Sequence, residues 1–179
     1  DLKTFFIFLN DNDIYTILII EDEDAHAQAI KRAIISYSSQ YNVVVAYSIK
    51  EYHAIIQSTN PCLILSDINL PDGNALEVMA NAKENHFFPL VVMTSFGDEA
   101  IAVQAIKLGA LDYIVKSEQS FREIPRLIER WIREWHNIEK RAMAEAALKE
   151  SEARYRLLAE NINDTVWLTD LELKTIYIS

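Results

Sequence analysis

From residue 14 to residue 116, short apolar runs alternate with stretches of about a dozen helix-patterned residues, and this alternation leaves few architectures open. The runs occupy residues 16–21, 42–46, 62–67, 90–94 and 112–116. Strands separated by helices have room to return and pair in parallel, with the helices covering the sheet. The intervening segments carry the matching faces. Ala27, Ile30, Ala33 and Ile34 mark the first, and Ser48 with Glu51 forms a capping-box signature that opens the second, toward Ile55 and Ile56. Leu76, Val78, Met79 and Ala82 mark a third face. A fourth, over residues 98–108, places Ile101, Ala105 and Leu108 on one side, with Gly109 as its C-terminal stop.

The class is therefore α/β, a five-stranded parallel doubly wound sheet of flavodoxin-like order 2-1-3-4-5, followed by a long C-terminal helix. That order sets strands one and three side by side at the switch point, where ligands bind. Strand one runs through Ile17-Leu18-Ile19-Ile20 into Glu21-Asp22, and strand three through Cys62-Leu63-Ile64-Leu65-Ser66 into Asp67. Strands four and five end at Thr94 and Lys116. Three acids, a hydroxyl and an ammonium converging on one crevice are the parts for phosphorylating a carboxylate around a divalent metal.

At 179 residues the chain holds one full domain and a substantial extra element. Its net charge of −10 repels phosphate backbones, so nucleic acid is not an expected partner. Cys62, the single cysteine, lies inside an apolar run and reads as a small buried hydrophobe; nothing points to an oxidising compartment, and a cytoplasmic setting is expected. Phe5-Phe6-Ile7-Phe8-Leu9 is too short to span a membrane and lacks the flanks of a signal peptide. Because the chain opens on Asp1, residues 1–13 are expected to be an added tail or the end of something upstream. His26, His53, His86 and His136 show no metal-binding spacing and read as surface residues.

Residues 124–160 contain no glycine and only Pro125, which a first helical turn tolerates, so they read as one long helix. Ile124, Ile128, Trp131, Trp135, Ile138 and Ala142 are spaced 4-3-4-3-4, and Ala144, Leu148, Ser151, Tyr155, Leu158 and Ile162 repeat that spacing one position out of register. This is a coiled-coil seam with a slip. Acid-first pairs such as Glu150 with Arg154 support the helix. A stripe with two tryptophans needs cover, and a parallel homodimer is the expected source. Residues 161–179 then contain two strand-like runs, Thr165-Val166-Trp167-Leu168-Thr169 and Thr175-Ile176-Tyr177-Ile178, too few for a core of their own.

Residues 17–22, Leu63 through Gly73, Val91-Val92-Met93-Thr94-Ser95 and Gly109-Ala110-Leu111-Asp112-Tyr113-Ile114-Val115-Lys116 together resemble the response-regulator receiver family over residues 16–133. The resemblance implies that Asp67 is the phospho-acceptor and that Glu21 and Asp22 form the acidic pair. It implies further that Thr94 is the switch hydroxyl, Tyr113 the switch aromatic and Lys116 the site lysine, with a histidine kinase or phosphotransfer protein as donor. Crowded carboxylates favour a hard cation, so Mg²⁺ is expected on Asp22, Asp67 and the backbone carbonyl of Asn69, with Glu21 acting partly through a metal-bound water. Two departures stand out: Ser117 replaces the family's usual proline, and Glu21 the more frequent aspartate. Residues 147–162 with Thr165 through Asp170 are similar to the start of PAS sensor domains. The expected division is 1–13 tail, 14–123 receiver, 124–160 dimeric helix and 161–179 the start of a PAS domain. Two rivals are a receiver-like dimer scaffold that never carries phosphate and an aspartate-nucleophile phosphatase. The second lacks its usual acid two residues after the nucleophile, where Asn69 stands.

Overall fold

The computed structural model describes residues 14–76, 78–79, 88–95, 99–161, 167–169 and 175–178. Ala82, His86 and Ile162 lie outside them, as do the N-terminal 13 residues. In chain order the elements are β1 (Tyr15–Ile20), α1 (Asp24–Tyr37), β2 (Tyr41–Ala46), α2 (Ile49–Ile56), β3 (Leu63–Asp67), β4 (Asn69–Leu70), β5 (Gly73–Asn74), β6 (Leu90–Thr94), α3 (Glu99–Leu108), β7 (Asp112–Val115), α4 (Glu118–Asn161), β8 (Trp167–Thr169) and β9 (Thr175–Ile178).

Five strands form one sheet in the order β2-β1-β3-β6-β7, and every pairing in it is parallel. This is the expected 2-1-3-4-5 order once the two short strands of the β4–β5 hairpin are left out of the count. The register aligns the strand ends: Ile20 pairs with Ser66, Asp67 with Met93 and Thr94 with Val115. Glu21, Asp67, Thr94 and Lys116 therefore leave the sheet at one edge.

Alternation along the strands divides the core into two layers. Leu18, Ile20, Ile64 and Val92 face one side with Ile49, Tyr52, Val78, Ala102 and Ala105. Ile17, Ile19, Leu63, Leu65, Val91 and Met93 face the other with Ile30 and Ile34 of α1 and Phe121, Ile124, Ile128 and Trp131 of α4. The first half of the apolar stripe on α4 is thus covered by the sheet of its own chain. Trp131 is fully buried and Trp135 nearly so, which removes the two tryptophans as an argument for a second helix. Burial on this scale also explains why α4 starts at Glu118 and continues through Pro125, its eighth residue. The proline withholds one helical hydrogen bond, and core packing before and after it outweighs that loss.

Local signals hold in most places. Ser48 Oγ accepts the Glu51 N–H at 3.1 Å, while the Glu51 carboxylate reaches the Tyr47 N–H, one residue earlier than in the usual box. Gly109, at φ 109°, ends α3 with the Ala110 N–H bonded to the Ala105 carbonyl and its own N–H to Ile106, a Schellman closure. On α3, Ala105 and Ile101 pack as expected and Ala102 joins them, whereas Leu108, expected on the same face, is 42% exposed.

The chain divides into two compact units, 1–135 and 136–179. In the second, the remainder of α4 keeps the Glu150–Arg154 pair at 3.1 Å, and β8 and β9 pair antiparallel. Among the described residues, no helix is long and apolar enough to cross a membrane.

Candidate functional site

Each residue at the C-terminal edge of the sheet is placed by the strand it terminates. Glu21 follows β1, with its N–H on the Ala46 carbonyl of β2 at 3.0 Å. Asp67 closes β3, and the next N–H, that of Ile68, bonds the Met93 carbonyl at 2.9 Å. Lys116 is held by its N–H on the Thr94 carbonyl at 2.8 Å. Three side chains from sequence positions up to 95 residues apart are thus brought together by strand pairing.

Glu21, Asp22 and Asp67 each offer a carboxylate oxygen, and the three atoms lie within 4.8 Å of one another. Glu21 is fully buried and Asp67 is 6% exposed, whereas Asp22 is exposed and opens the cluster to solvent. Lys116 Nζ bridges the two buried acids, donating to Asp67 Oδ2 at 2.6 Å and to Glu21 Oε1 at 2.9 Å. Burial pushes the Glu21 carboxyl above its usual range, Lys116 opposes this, and the charge of Asp67 adds to it. Burial alone would lower Lys116, but hydrogen bonds and charge from Asp67 and Glu21 outweigh it and raise its ammonium. One ammonium against three acids leaves excess negative charge ringed by hard oxygen donors, a donor set that suits Mg²⁺.

Of the remaining expected residues, Thr94 closes β6 at this edge, whereas Tyr113 lies within β7. Thr94 is fully buried and its hydroxyl donates to the Ser95 carbonyl at 2.8 Å. Tyr113, paired with Val92 on the outer strand β7, is 39% exposed. Asn69 lies in the hairpin that begins two residues after Asp67. Ser117, in place of the family's proline, has its hydroxyl against the Ser120 N–H at 3.0 Å, capping the start of α4. The described residues contain no cis peptide.

Two residues make contacts absent from the sequence-based expectation, His26 beside the acids and Asp72 at the turn of the β4–β5 hairpin. His26, read as a surface residue, has Nδ1 3.1 Å from Glu23 and 3.7 Å from Glu21, with its ring edge-on to Phe121 at 5.3 Å between centroids. A cavity of about 400 Å³ lined by His26, Ser95, Lys116, Ser117 and Phe121 lies beside the acids. Its sequence signal is only position, one helical turn after Asp22. Asp72 is the other, its carboxylate accepting the N–H groups of Ile49 and Lys50 at 2.9 Å each.

The response regulator receiver domain family matches residues 17–129. The methanogenesis regulatory protein FilR1 of Methanothrix harundinacea is 33% identical over 136 residues, which cover 74% of this chain and 30% of that protein. The photosynthetic apparatus regulatory protein RegA of Rhodobacter capsulatus is 33% identical over 102 residues, 56% of this chain and 54% of that protein. The chain therefore spans between about a third and about half of the length of these curated relatives. Among solved structures, the phosphorylated cyanobacterial phytochrome response regulator RcpA superposes with a TM-score of 0.61 at 26% identity, covering 66% of this chain and 94% of its own. A receiver domain from Clostridium thermocellum shares the fold with a TM-score of 0.60 at 22% identity, covering 70% and 99%.

Proposed function

From the premise that this chain belongs to the response regulator receiver domain family, we propose that Asp67 accepts a phosphoryl group from the phosphohistidine of a histidine kinase or phosphotransfer protein in the cytoplasm. The observation that supports this most directly is the Asp67 carboxylate at the mouth of β3, held by Lys116 at 2.6 Å within the acid cluster. An Asp67 oxygen forms a bond to phosphorus as the phosphorus–nitrogen bond of the donor breaks, and the imidazole leaves with the electron pair. Lys116 steers the incoming oxygens. Asp22, Asp67 and the Asn69 backbone carbonyl would hold Mg²⁺, with Glu21 acting through a bound water; when present, the ion supplies neutralisation of the phosphoryl charge.

Thr94 then exchanges the Ser95 carbonyl for a phosphoryl oxygen, and the space it vacates admits Tyr113 from its exposed position. The altered outer strand passes the signal toward α4. Beyond Trp135 that helix exposes Ile138, Leu148 and Tyr155 of the apolar stripe, and we assign that stripe to a seam with a second copy of the chain, leading into a PAS-containing output region. The helix and its seam form the dimeric segment that joins the receiver, from residue 14, to the PAS start at 161–179. Exposure to acetyl phosphate with Mg²⁺ should add the mass of one phosphoryl group, and Asp67→Ala should abolish the gain. A wild-type mass unchanged by the donor would favour a scaffold that never carries phosphate.

A further inference from the structure

The turn at Pro71-Asp72 projects toward the start of α2, which lies 22 residues earlier in the sequence. Asp72 Oδ1 accepts the Ile49 N–H and Oδ2 the Lys50 N–H, each at 2.9 Å. The next N–H, of Glu51, goes to Ser48 Oγ at 3.1 Å. All three donors of the first turn are therefore satisfied, two of them by a residue outside the helix and its cap. These bonds hold the Asp72 carboxyl below its usual range. The base of the hairpin is fixed separately, by the Ile68 N–H on Met93 and the Ala75 N–H on the Ile68 carbonyl. Between base and tip stand two residue pairs, Asn69 with Asn74 and Leu70 with Gly73. A ladder of that length is marginal without further support.

We infer that Asp72 is a positioning residue for the cation site: by clasping the first turn of α2, it keeps the β4–β5 hairpin in the one shape that presents the Asn69 backbone to the acid cluster. This rests on the proposed Mg²⁺-dependent chemistry and adds to it a residue that touches neither metal nor phosphate. Without the clasp the hairpin samples other shapes, and the apparent Mg²⁺ affinity falls by the fraction of time spent in the competent one. Ser48 provides the control, because it caps the same helix and has no bond to the hairpin.

The experiment is calorimetric titration of MgCl₂ into wild type, Asp72→Ala, Asp72→Asn and Ser48→Ala, with a thermal melt of each. Asp72→Ala should weaken Mg²⁺ binding about five- to tenfold, with Asp72→Asn between it and wild type, since the amide keeps one acceptor oxygen. Ser48→Ala should lower the melting temperature and leave Mg²⁺ affinity within about twofold. Phosphorylation of Asp72→Ala by acetyl phosphate should recover to the wild-type rate at saturating Mg²⁺. Equal Mg²⁺ affinity in wild type and Asp72→Ala, or an equal loss in Asp72→Ala and Ser48→Ala, would overturn the inference while leaving the phospho-acceptor reading intact. A wild-type chain that takes up no Mg²⁺ would remove both. If Asp72→Ala fails to fold, the comparison of Asp72→Asn with Ser48→Ala carries the same decision.

Discussion

Lys116 stands between two carboxylates that have almost no access to water, so its removal leaves Glu21 and Asp67 facing each other. Breaking a buried pair in this way costs about 3–5 kcal/mol, and the lower end applies because exposed Asp22 opens the cluster to solvent. Lys116→Met should therefore lose about 3 kcal/mol at pH 8 by urea unfolding. The sign of the pH dependence follows from Glu21, whose carboxyl lies above its ordinary 4.5. Loss of the opposing ammonium raises it further. Just above pH 4.5 the folded variant then holds a proton that the unfolded chain has released, so stability falls as pH rises through that window and recovers as pH drops toward 5. A deficit that stays constant between pH 5 and pH 8 would show that the cost comes from lost packing of the lysine stem. The acids, the hydroxyl and the lysine were legible in the sequence because each closes an apolar run and so announces both its strand and its edge. The contacts of His26 with Phe121 and of Asp72 with Ile49 and Lys50 were not, because each joins separate elements and no periodicity marks such a meeting.

At the scale of elements, β7 is tied to α4 through one carboxylate. Asp112 Oδ2 accepts the Trp131 indole N–H at 2.8 Å and an Arg130 guanidinium N–H at 2.7 Å. The two bonds differ in worth. Trp131 is fully buried, so stranding its N–H costs about 1–3 kcal/mol. Arg130 is about half exposed, and a solvated pair of this kind contributes about 0–1 kcal/mol. Asp112→Ala should lower stability by about 1–3 kcal/mol and alter tryptophan emission, whereas Arg130→Ala should change stability by less than about 1 kcal/mol. An Arg130→Ala variant as damaged as Asp112→Ala would reverse this ranking. The five strands of the parallel sheet were readable to within a residue at either end, since a strand buried within a sheet must be apolar nearly throughout, whereas the short β4–β5 hairpin carried no such signal. The cover of α4 was not readable. A stripe at 3.5-residue spacing looks the same in sequence whether a second helix or the chain's own sheet lies against it.

For the whole molecule, that ambiguity resolves at Trp135, where one compact unit ends and the next begins. Phe121, Ile124, Ile128 and Trp131 complete the second core layer, and past Trp135 the large apolar side chains Ile138, Met143 and Leu148 stand exposed. The first part of the helix thus folds the domain, and the proposed seam lies on its later part. A chain shortened to end at residue 137 should unfold cooperatively and sediment as a monomer. One shortened to end at residue 123 discards three fully buried residues, each worth about 2–5 kcal/mol or more on truncation. That loss matches or exceeds the net stability of an ordinary domain, about 5–15 kcal/mol, so the shorter chain should fail to fold. The full chain should sediment as a dimer, and Leu148→Lys, which sets a charge in the proposed seam, should return it to monomer without altering the unfolding of the first unit. A monomeric full chain would confine α4 to its role in the core and require the signal to leave the domain by the surface around Tyr113.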